Sequence, residues 1–325
     1  MIAAIAIAFI VLIISGHRAY ASSVENKELC RSGTPEQIRK ALASGKLSVF
    51  ERDESGMTPL MVASRENSDA RVISVLIEAG ADVNARDRDD NTALMHAVRE
   101  NKNPEVTFAL IKARADLNTR DKYNMTALIH AVREKAAPQT ILSLAAAGAD
   151  VNARDRAEMT ALMIAILKHA ETETIASLIK ARADLNARDK SGMTALIYAI
   201  REGSSTEVIT SLINAGADVN VRYDHNRTAL MYASRDNEDP KAVSALIAHG
   251  ADINATDEKG LTALMYAARK NKNPKVAFAL LDAGANATII SLRGKTAADY
   301  AEKNEYIKGT QLHERLSRAF REFGR

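Results

Sequence analysis

The stretch ADVNARDRDDNTALM at residues 81–95 decides the fold, because close copies of it recur along most of the chain. Its first seven residues are echoed at 115–121, 149–155, 183–189 and 217–223. Its threonine belongs to a series of eight threonines spaced 34 residues apart, and the seven intervals between them are seven complete units. The threonines are Thr58, Thr92, Thr126, Thr160, Thr194, Thr228, Thr262 and Thr296. A fixed period of this length predicts a stack of small structural repeats.

Each unit has the pattern of two short helices followed by a finger, which is the extended, turn-rich segment that leads to the next threonine. The threonine begins the first helix, and Pro104 marks the start of the second in its unit. Proline suits the first position of a helix because the N–H that it lacks would have no hydrogen-bond partner there. Apolar residues then recur at helical spacing, as at Val106 and Leu110. A glycine such as Gly148 ends the second helix. A single unit cannot bury its apolar face, but stacked units can. The predicted fold is therefore an all-α solenoid of helix-turn-helix repeats with short β-turn fingers.

The repeat resembles the ankyrin repeat, whose pattern is a turn, Thr-Pro-Leu-His-x-Ala and two helices over 33 residues. TPLMVA at residues 58–63 matches that pattern closely, and the resemblance covers roughly residues 34–325. The sequence departs from the family in three ways. The family's histidine is Met or Ile here, most units have alanine in place of the proline, and the period is one residue longer. The resemblance implies an ankyrin-type fold and a protein partner bound by a concave groove and the fingers.

The sequence divides into a signal peptide (1–21), a polar linker (22–33) and an N-terminal capping half-repeat (34–52), in which a second helix lacks a first. Seven repeats and a C-terminal capping repeat follow at 53–86, 87–120, 121–154, 155–188, 189–222, 223–256, 257–290 and 291–325. The last segment contains an amphipathic helix with a basic face. We expect it to cap the stack, and binding to a membrane surface is the alternative.

The N-terminus predicts export. Residues 2–14 are uninterruptedly apolar, which is too short to span a bilayer comfortably but fits a signal peptide. Cleavage is expected between Ala21 and Ser22, releasing the chain to the periplasm or the exterior. No basic residue precedes the apolar run. This absence leaves two alternatives, which are a misplaced start and retention of residues 2–15 as an uncleaved membrane anchor.

Composition and motifs argue against most other classes of function. The 44 basic and 41 acidic residues are interspersed, so no nucleic-acid partner is expected. The single cysteine, Cys30, permits neither an internal disulfide nor a thiolate metal cluster. One aspartate recurs at the same position of successive repeats, as at Asp87 and Asp121, which indicates a structural role in the repeat rather than a catalytic pair of carboxylates. His96 and His130 also hold equivalent positions, and these fit buried core residues better than ligands of a metal ion. No catalytic, cofactor-binding or metal-binding residues are predicted, so we expect a protein that is not an enzyme.

An arginine stands seven residues after the threonine in six units: Arg65, Arg99, Arg133, Arg201, Arg235 and Arg269. By resemblance, this position lies on the concave face. The arginines could bind acidic groups of a partner. They could also pair with Glu66, Glu100, Glu134 and Glu202 in a ladder between repeats, and the two roles are compatible.

Breaks in the repeat supply the remaining candidates for partner contact. Leu167 replaces the arginine in one unit and His169 follows it, while Tyr223 replaces the aspartate of its column. Tyr123 and His225 lie in fingers. Exposed apolar and aromatic residues often contribute most of an interface's binding energy. We therefore expect a monomeric, exported, non-catalytic scaffold that binds a protein. The alternatives are a membrane-tethered structural scaffold and a metal-dependent enzyme.

Overall fold

The structure is a computed structural model that describes residues 24–323. It divides into two compact units, the first ending at Arg156 and the second beginning at Ala157. The described part of the first unit contains α1 (residues 24–32), α2 (Pro35–Ala43), α3 (Pro59–Glu66), α4 (Ala70–Glu78), α5 (Ala93–Glu100), α6 (Pro104–Lys112), α7 (Ala127–Arg133) and α8 (Pro138–Ala146).

The second unit, over its described residues, is also mostly helical and includes one pair of very short strands. Its elements are α9 (Ala161–Leu167), α10 (Thr172–Lys180), α11 (Ala195–Arg201), α12 (Thr206–Asn214), β1 (Arg222–Tyr223), β2 (Arg227–Thr228), α13 (Ala229–Asp236), α14 (Pro240–Ala248), α15 (Ala263–Lys270), α16 (Pro274–Asp282), α17 (Ala297–Ala301) and α18 (Gln311–Phe323).

Three predictions about the N-terminus concern residues outside the described range. They are the signal peptide over 1–21, its cleavage between Ala21 and Ser22, and the alternative anchor over 2–15. Within residues 24–323, no helix combines the length and apolar character that crossing a bilayer requires.

The first helix of each repeat begins at the threonine that the sequence singles out. The Oγ1 atom of Thr92 accepts a hydrogen bond from the N–H of Met95 at 3.4 Å. The equivalent threonines, from Thr58 to Thr296, make the same bond at 3.3–3.4 Å. Each bond provides a partner for one of the N–H groups that a helix leaves free at its start.

The second helix ends in left-handed backbone geometry, as predicted. Gly148 has φ 99° at this position, whereas Arg114 and Arg182 adopt φ 60° and 65° there without glycine's freedom. A side chain in this conformation costs roughly 1 kcal/mol relative to glycine. The repeat geometry therefore imposes a left-handed stop even where the sequence does not favour one.

Stacking of equivalent helices forms the core of each unit. First helices pack on first helices, as α3 does on α5, and second helices pack on second helices, as α4 does on α6. Leu94 of a first helix and Leu110 of a second helix are completely buried. Burying one such leucine stabilises the fold by about 1.5–3 kcal/mol. The predicted fold class, an ankyrin-type α-solenoid with short fingers, is confirmed.

The N-terminal boundary differs from the sequence prediction. Residues 24–32 are helical rather than a linker, and α1 precedes α2 as the missing first helix of a complete pair. Cys30 is 1% exposed and Asn26 is 5% exposed. The Nδ2 atom of Asn67 also donates to the carbonyl oxygen of Cys30 at 3.1 Å. The linker and half-repeat predictions were wrong because α1 carries few apolar residues and is fixed partly by polar contacts.

The link between the two helices of a repeat takes two forms. Asn101 is extended, and its Nδ2 donates to the carbonyl oxygens of Ser64 at 3.0 Å and Asn67 at 2.9 Å. Asn67, Asn271 and Asn304 make the same bridges to the preceding repeat. Three other repeats instead turn through a left-handed residue, with φ 50–66°: Lys135, His169 and Gly203.

The C-terminal end is covered by α17 and α18. Ile307, Leu312 and Leu316 are completely buried. On the outer side of α18, an Nη atom of Arg315 lies 2.7 Å from Asp282 Oδ1. These three apolar side chains of the amphipathic segment therefore face protein.

Candidate protein-binding surface

An aspartate organises the finger of most repeats. In Asp121, Oδ1 accepts hydrogen bonds from the N–H groups of Tyr123 and Met125, both at 2.8 Å. The same pair of bonds, to the second and fourth residues onward, is made by Asp53, Asp87, Asp189 and Asp257. The aspartate column is therefore part of the finger architecture, as the sequence indicated.

The other oxygen of the aspartate binds a side chain of the following first helix. Asp87 Oδ2 lies 2.8 Å from Nε2 of His96, and Asp121 Oδ2 lies 2.9 Å from Nε2 of His130. The two histidines are buried and bound within their own repeats, in agreement with the core interpretation. Among the residues that the structure describes, no three His, Cys, Asp or Glu side chains group as metal ligands would.

In the second unit, tyrosine takes the place of histidine. The Tyr198 hydroxyl donates to Asp189 Oδ2 at 2.6 Å, and the Tyr266 hydroxyl donates to Asp257 Oδ2 at 2.8 Å. Burial lowers the pKa of both His96 and His130, and the nearby Arg99 charge acts in the same direction. Burial and the Asp257 carboxylate raise the pKa of Tyr266 to about 12.

The arginine row is defined as Arg65, Arg99, Arg133, Arg201, Arg235 and Arg269. Arg65 pairs with Glu66 and lies 3.8 Å from Glu100 of the next repeat, and Arg235 pairs with Asp236. The Arg65–Glu100 pair is the one example of the predicted ladder between repeats that we find among the described residues. Arg133 and Arg201 instead direct an Nη atom to a finger methionine sulfur at 3.4 and 3.1 Å.

Four members of the row, within the part of the chain described, are exposed and have no carboxylate partner. They are Arg99, Arg133, Arg201 and Arg269. Arg201 lies over the rings of Tyr223 and Tyr232, 5.9 and 6.0 Å from their centroids. Arg269 lies 5.8 Å from the Tyr300 centroid. Sulfur and aromatic contacts orient a guanidinium without neutralising it, so its N–H groups remain available.

The finger around Tyr223 differs from the others because that tyrosine replaces the organising aspartate. Strands β1 and β2 form an antiparallel pair there, and Asp224, His225 and Asn226 between them all have positive φ. The exposed His225 ring lies 3.1 Å from Glu258 and 3.6 Å from Asp224. Tyr223 is half-buried, with its ring centroid 6.3 Å from that of Tyr232. The structure therefore presents His225 outward and uses Tyr223 largely for packing.

Tyr123 is an exposed finger residue of the first unit, with 48% of its surface accessible. Its ring lies between two cations, with Lys122 Nζ at 5.0 Å and the Arg156 guanidinium at 5.5 Å from the centroid. This aromatic side chain is held at the surface rather than packed in the core.

Leu167 and His169 occupy different environments although they are close in sequence. Leu167 is the last residue of α9 and is half-buried. His169 is exposed, with φ 50°, and its N–H bonds to the carbonyl oxygen of Ile166 at 3.0 Å. His169 thus closes α9 by its backbone, as Lys135 and Gly203 close α7 and α11.

The finger geometry, the helix pairs and their stacking agree with the family comparison. The model described as "Ankyrin repeats (3 copies)" matches residues 72–155, 128–223, 205–291 and 230–311, and the model "Ankyrin repeat" matches residues 55–88. Together the matches cover well over half of the chain. The chain belongs to the ankyrin-repeat family. No curated protein matches it.

A solved ankyrin-repeat structure supports the same assignment. The chain is similar to the ankyrin repeat domain of Bcl-3, described as a unique member of the IkappaB protein family. The TM-score is 0.60 at 25% sequence identity, covering 68% of this chain and 97% of that one. Ankyrin repeats are protein-interaction scaffolds, and the chain shares their architecture.

Sequence reasoning missed a second set of arginines, which joins successive ankyrin fingers. An Nη atom of Arg120 donates to the carbonyl oxygens of Asn124 and Arg154, at 3.3 and 2.8 Å. Arg52, Arg86, Arg188 and Arg222 also reach a carbonyl oxygen 34 residues onward. Their 34-residue spacing was visible in the sequence, but their direction along the stack was not.

A pocket of about 310 Å³ lies beside α1 and contains the lone cysteine among its lining residues. In the repeat that lines this pocket, Val62 occupies the position that His96 and Tyr198 occupy in their own repeats, where each ring binds the finger aspartate. No aromatic ring therefore fills the space. Lys27 of α1 donates to Asp53 Oδ2 at 3.0 Å instead. Burial raises the pKa of the Cys30 thiol to about 12, so this cysteine is protonated and unreactive at neutral pH.

Proposed function

We propose that this ankyrin-repeat chain is a non-catalytic scaffold that binds a protein partner through the arginine row and neighbouring fingers. The observation that carries the proposal is the exposure of four row arginines without a carboxylate partner among the described residues. We expect the exposed Tyr123 and His225 of the fingers, with the half-buried Leu167, to add aromatic and apolar contacts. Aromatic and arginine residues are the types most enriched among residues that dominate binding energy.

Preorganisation supports this role. The first helices beneath the arginines are buried along nearly their whole length, and the finger aspartates fix the adjoining turns. Sulfur and ring contacts also restrict the arginine side chains. A surface already held in shape loses less conformational entropy when a partner binds, so more of the contact energy appears as affinity.

The test compares partner affinity for matched variants. Cross-linking and mass spectrometry with the chain from its native source would first identify the partner, and affinity would then be measured with purified components. We expect Arg99→Gln/Arg133→Gln/Arg201→Gln and, separately, Leu167→Glu to weaken binding about tenfold or more. The control Arg39→Gln/Arg71→Gln/Arg318→Gln removes the same charge from exposed arginines on other helices. Equal affinity of the row variant and the control would reject the proposed surface.

We further propose that residues 1–21 form a signal peptide and that the mature chain begins at Ser22 as an exported monomer. The support is the apolar run at residues 2–14 followed by small residues at Ala19 and Ala21. N-terminal sequencing of the chain from its native source tests this. Ser22 as the first residue is expected, whereas an intact Met1 in the membrane fraction would favour the tethered scaffold.

A further inference from the structure

Two neighbouring arginines of the first unit form the simplest part of the row. Arg99 lies near the end of α5, in the same position that Arg133 occupies in α7, and these helices pack against each other. Both side chains are exposed. Arg65, one repeat earlier, differs because it is already paired with Glu66 and Glu100. Arg99 and Arg133 are therefore the adjacent members of the row in this unit that have not formed an ion pair within residues 24–156.

The spacing of these two arginines follows from helix packing. Axes of packed helices lie about 8–10 Å apart. Arg99 and Arg133 occupy equivalent positions on adjacent helices, so the same distance separates the points from which the two side chains leave the backbone. A peptide in the polyproline II conformation advances about 3.1 Å per residue and completes one turn every three residues. Residues i and i+3 of such a peptide therefore lie on one face and span one repeat.

The surrounding charges select the type of anion. Glu100 and Glu134 follow the two arginines and are both exposed. The whole chain carries 44 basic and 41 acidic residues. A polyanion with charge at every position would meet these glutamates, whereas isolated carboxylates can each reach one guanidinium. Arginine binds a carboxylate through two parallel N–H bonds, which favours a planar carboxylate in a fixed position.

We propose that Arg99 and Arg133 bind a polyproline II segment of the partner whose carboxylates lie three residues apart, one on each guanidinium. This inference rests on the proposed function and adds the chemistry and spacing of the ligand. The segment runs along the stacking direction of α5 and α7. Its side chains between the two acidic residues make no essential contact in this arrangement.

Selection from a random peptide library tests the spacing even while the partner is unidentified. Twelve-residue peptides displayed on phage would be selected on the immobilised full chain, on Arg99→Gln/Arg133→Gln and on the control Arg39→Gln/Arg71→Gln. On wild type and control, acid-x-x-acid should exceed the two- and four-residue spacings about threefold or more, in line with two exposed ion pairs. The preference should disappear on the row variant.

The remaining outcomes each overturn the inference. They are an absence of acidic peptides, acidic peptides without a preferred spacing, and the same preference on Arg99→Gln/Arg133→Gln. Competition by single-stranded DNA that is as strong as competition by the selected peptide would replace it with general polyanion binding. If partner affinity still falls in the triple row variant while the peptide preference is missing, the proposed function stands and this inference alone fails.

Discussion

In both units an aspartate holds the finger through bonds from two backbone N–H groups to its Oδ1 atom, an arrangement that we call the aspartate frame. The units differ in the side chain that binds the Oδ2 atom of this aspartate. In the first unit, Asp87 and Asp121 bind the buried imidazoles of His96 and His130. In the second, Asp189 and Asp257 bind the hydroxyls of Tyr198 and Tyr266. Both donors satisfy one carboxylate oxygen, so the fold accepts either. They differ in the pH at which they titrate, and the two units should therefore respond to pH in opposite directions.

The frame itself should give the largest effect, and the effect should be similar in both units. Asp121→Ala and Asp189→Ala each remove the acceptor of two finger N–H groups and one side-chain partner. Leaving such buried groups unsatisfied should cost about 3 kcal/mol. Hydrogen exchange resolved by peptide would show the loss in the repeat that carries the substitution.

A matched control separates frame loss from surface charge loss. Glu105 of α6 is exposed, and its carboxylate makes no hydrogen bond or ion pair within residues 24–323, so Glu105→Ala removes one carboxylate from the same unit outside the finger frame. Its protection pattern should remain close to that of the wild type. If Asp121→Ala protected its finger as well as Glu105→Ala does, the finger would not depend on the aspartate.

Acid should loosen the first unit before the second. The pKa of His96 and His130 lies below the ordinary value of 6.5 because the imidazoles are buried. Below pH 6.5 the unfolded chain binds protons that the folded chain does not, so the free energy of unfolding falls with falling pH. Hydrogen exchange between pH 7 and pH 5, corrected for intrinsic rates, should show faster opening of α5 and α7 than of α11 and α15. The effect should be smaller than that of Asp121→Ala, because the frame remains in place.

The double variant His96→Tyr/His130→Tyr provides the sharpest comparison, because it gives the first unit the donor of the second. Its acid-dependent loosening should be lost over this pH range. If the variant responded to pH 5 as the wild type does, carboxylates rather than the two histidines would be responsible.

The pairs of tyrosine and aspartate in the second unit should lose their stabilising effect at high pH. The pKa of Tyr266 is raised from 10.0 to about 12 by burial and by Asp257. The stabilisation that this group provides is complete below pH 10 and is lost as the pH rises through about 12. Tyr266→Phe should cost about 1 kcal/mol at neutral pH, because it removes the bond to Asp257 and the acceptor for Arg227. Urea unfolding followed at α15 measures this, and an unchanged midpoint would show that the hydroxyl contributes nothing.

The difference between the units also shows how far sequence could lead. The repeat, the threonine caps and the glycines that end most second helices follow from local rules, and all appear in the structure. The histidine and tyrosine positions form one column that is visible in the sequence. Their bonds to the aspartate were missed, because nine residues along the chain separate the partners and a turn must first bring them together.

The repeat gives the positions of the row arginines in the sequence, but it does not show which of them are paired with carboxylates. Arg65 and Arg99 look alike in sequence, yet one is paired with Glu66 and Glu100 and the other is not. Helix α1 was missed for a related reason. Its buried Asn26 donates to the carbonyl oxygen of Lys46 and to Glu51, contacts that no hydrophobic pattern displays.

The smallest predicted effect concerns a position where local preference and repeat geometry disagree. Arg114 has φ 60° just after the end of α6, and Gly148 occupies the equivalent position after α8 with φ 99°. Arg114→Gly should therefore stabilise the first unit by about 0.5 kcal/mol, since the removed strain exceeds the added freedom of the unfolded chain. Gly148→Ala should destabilise it by a similar amount, and no atom lies within 4 Å of the added Cβ to complicate the comparison. Urea midpoints of the two variants measure the pair. A lower midpoint for Arg114→Gly would show that the arginine side chain contributes more than its backbone strain costs.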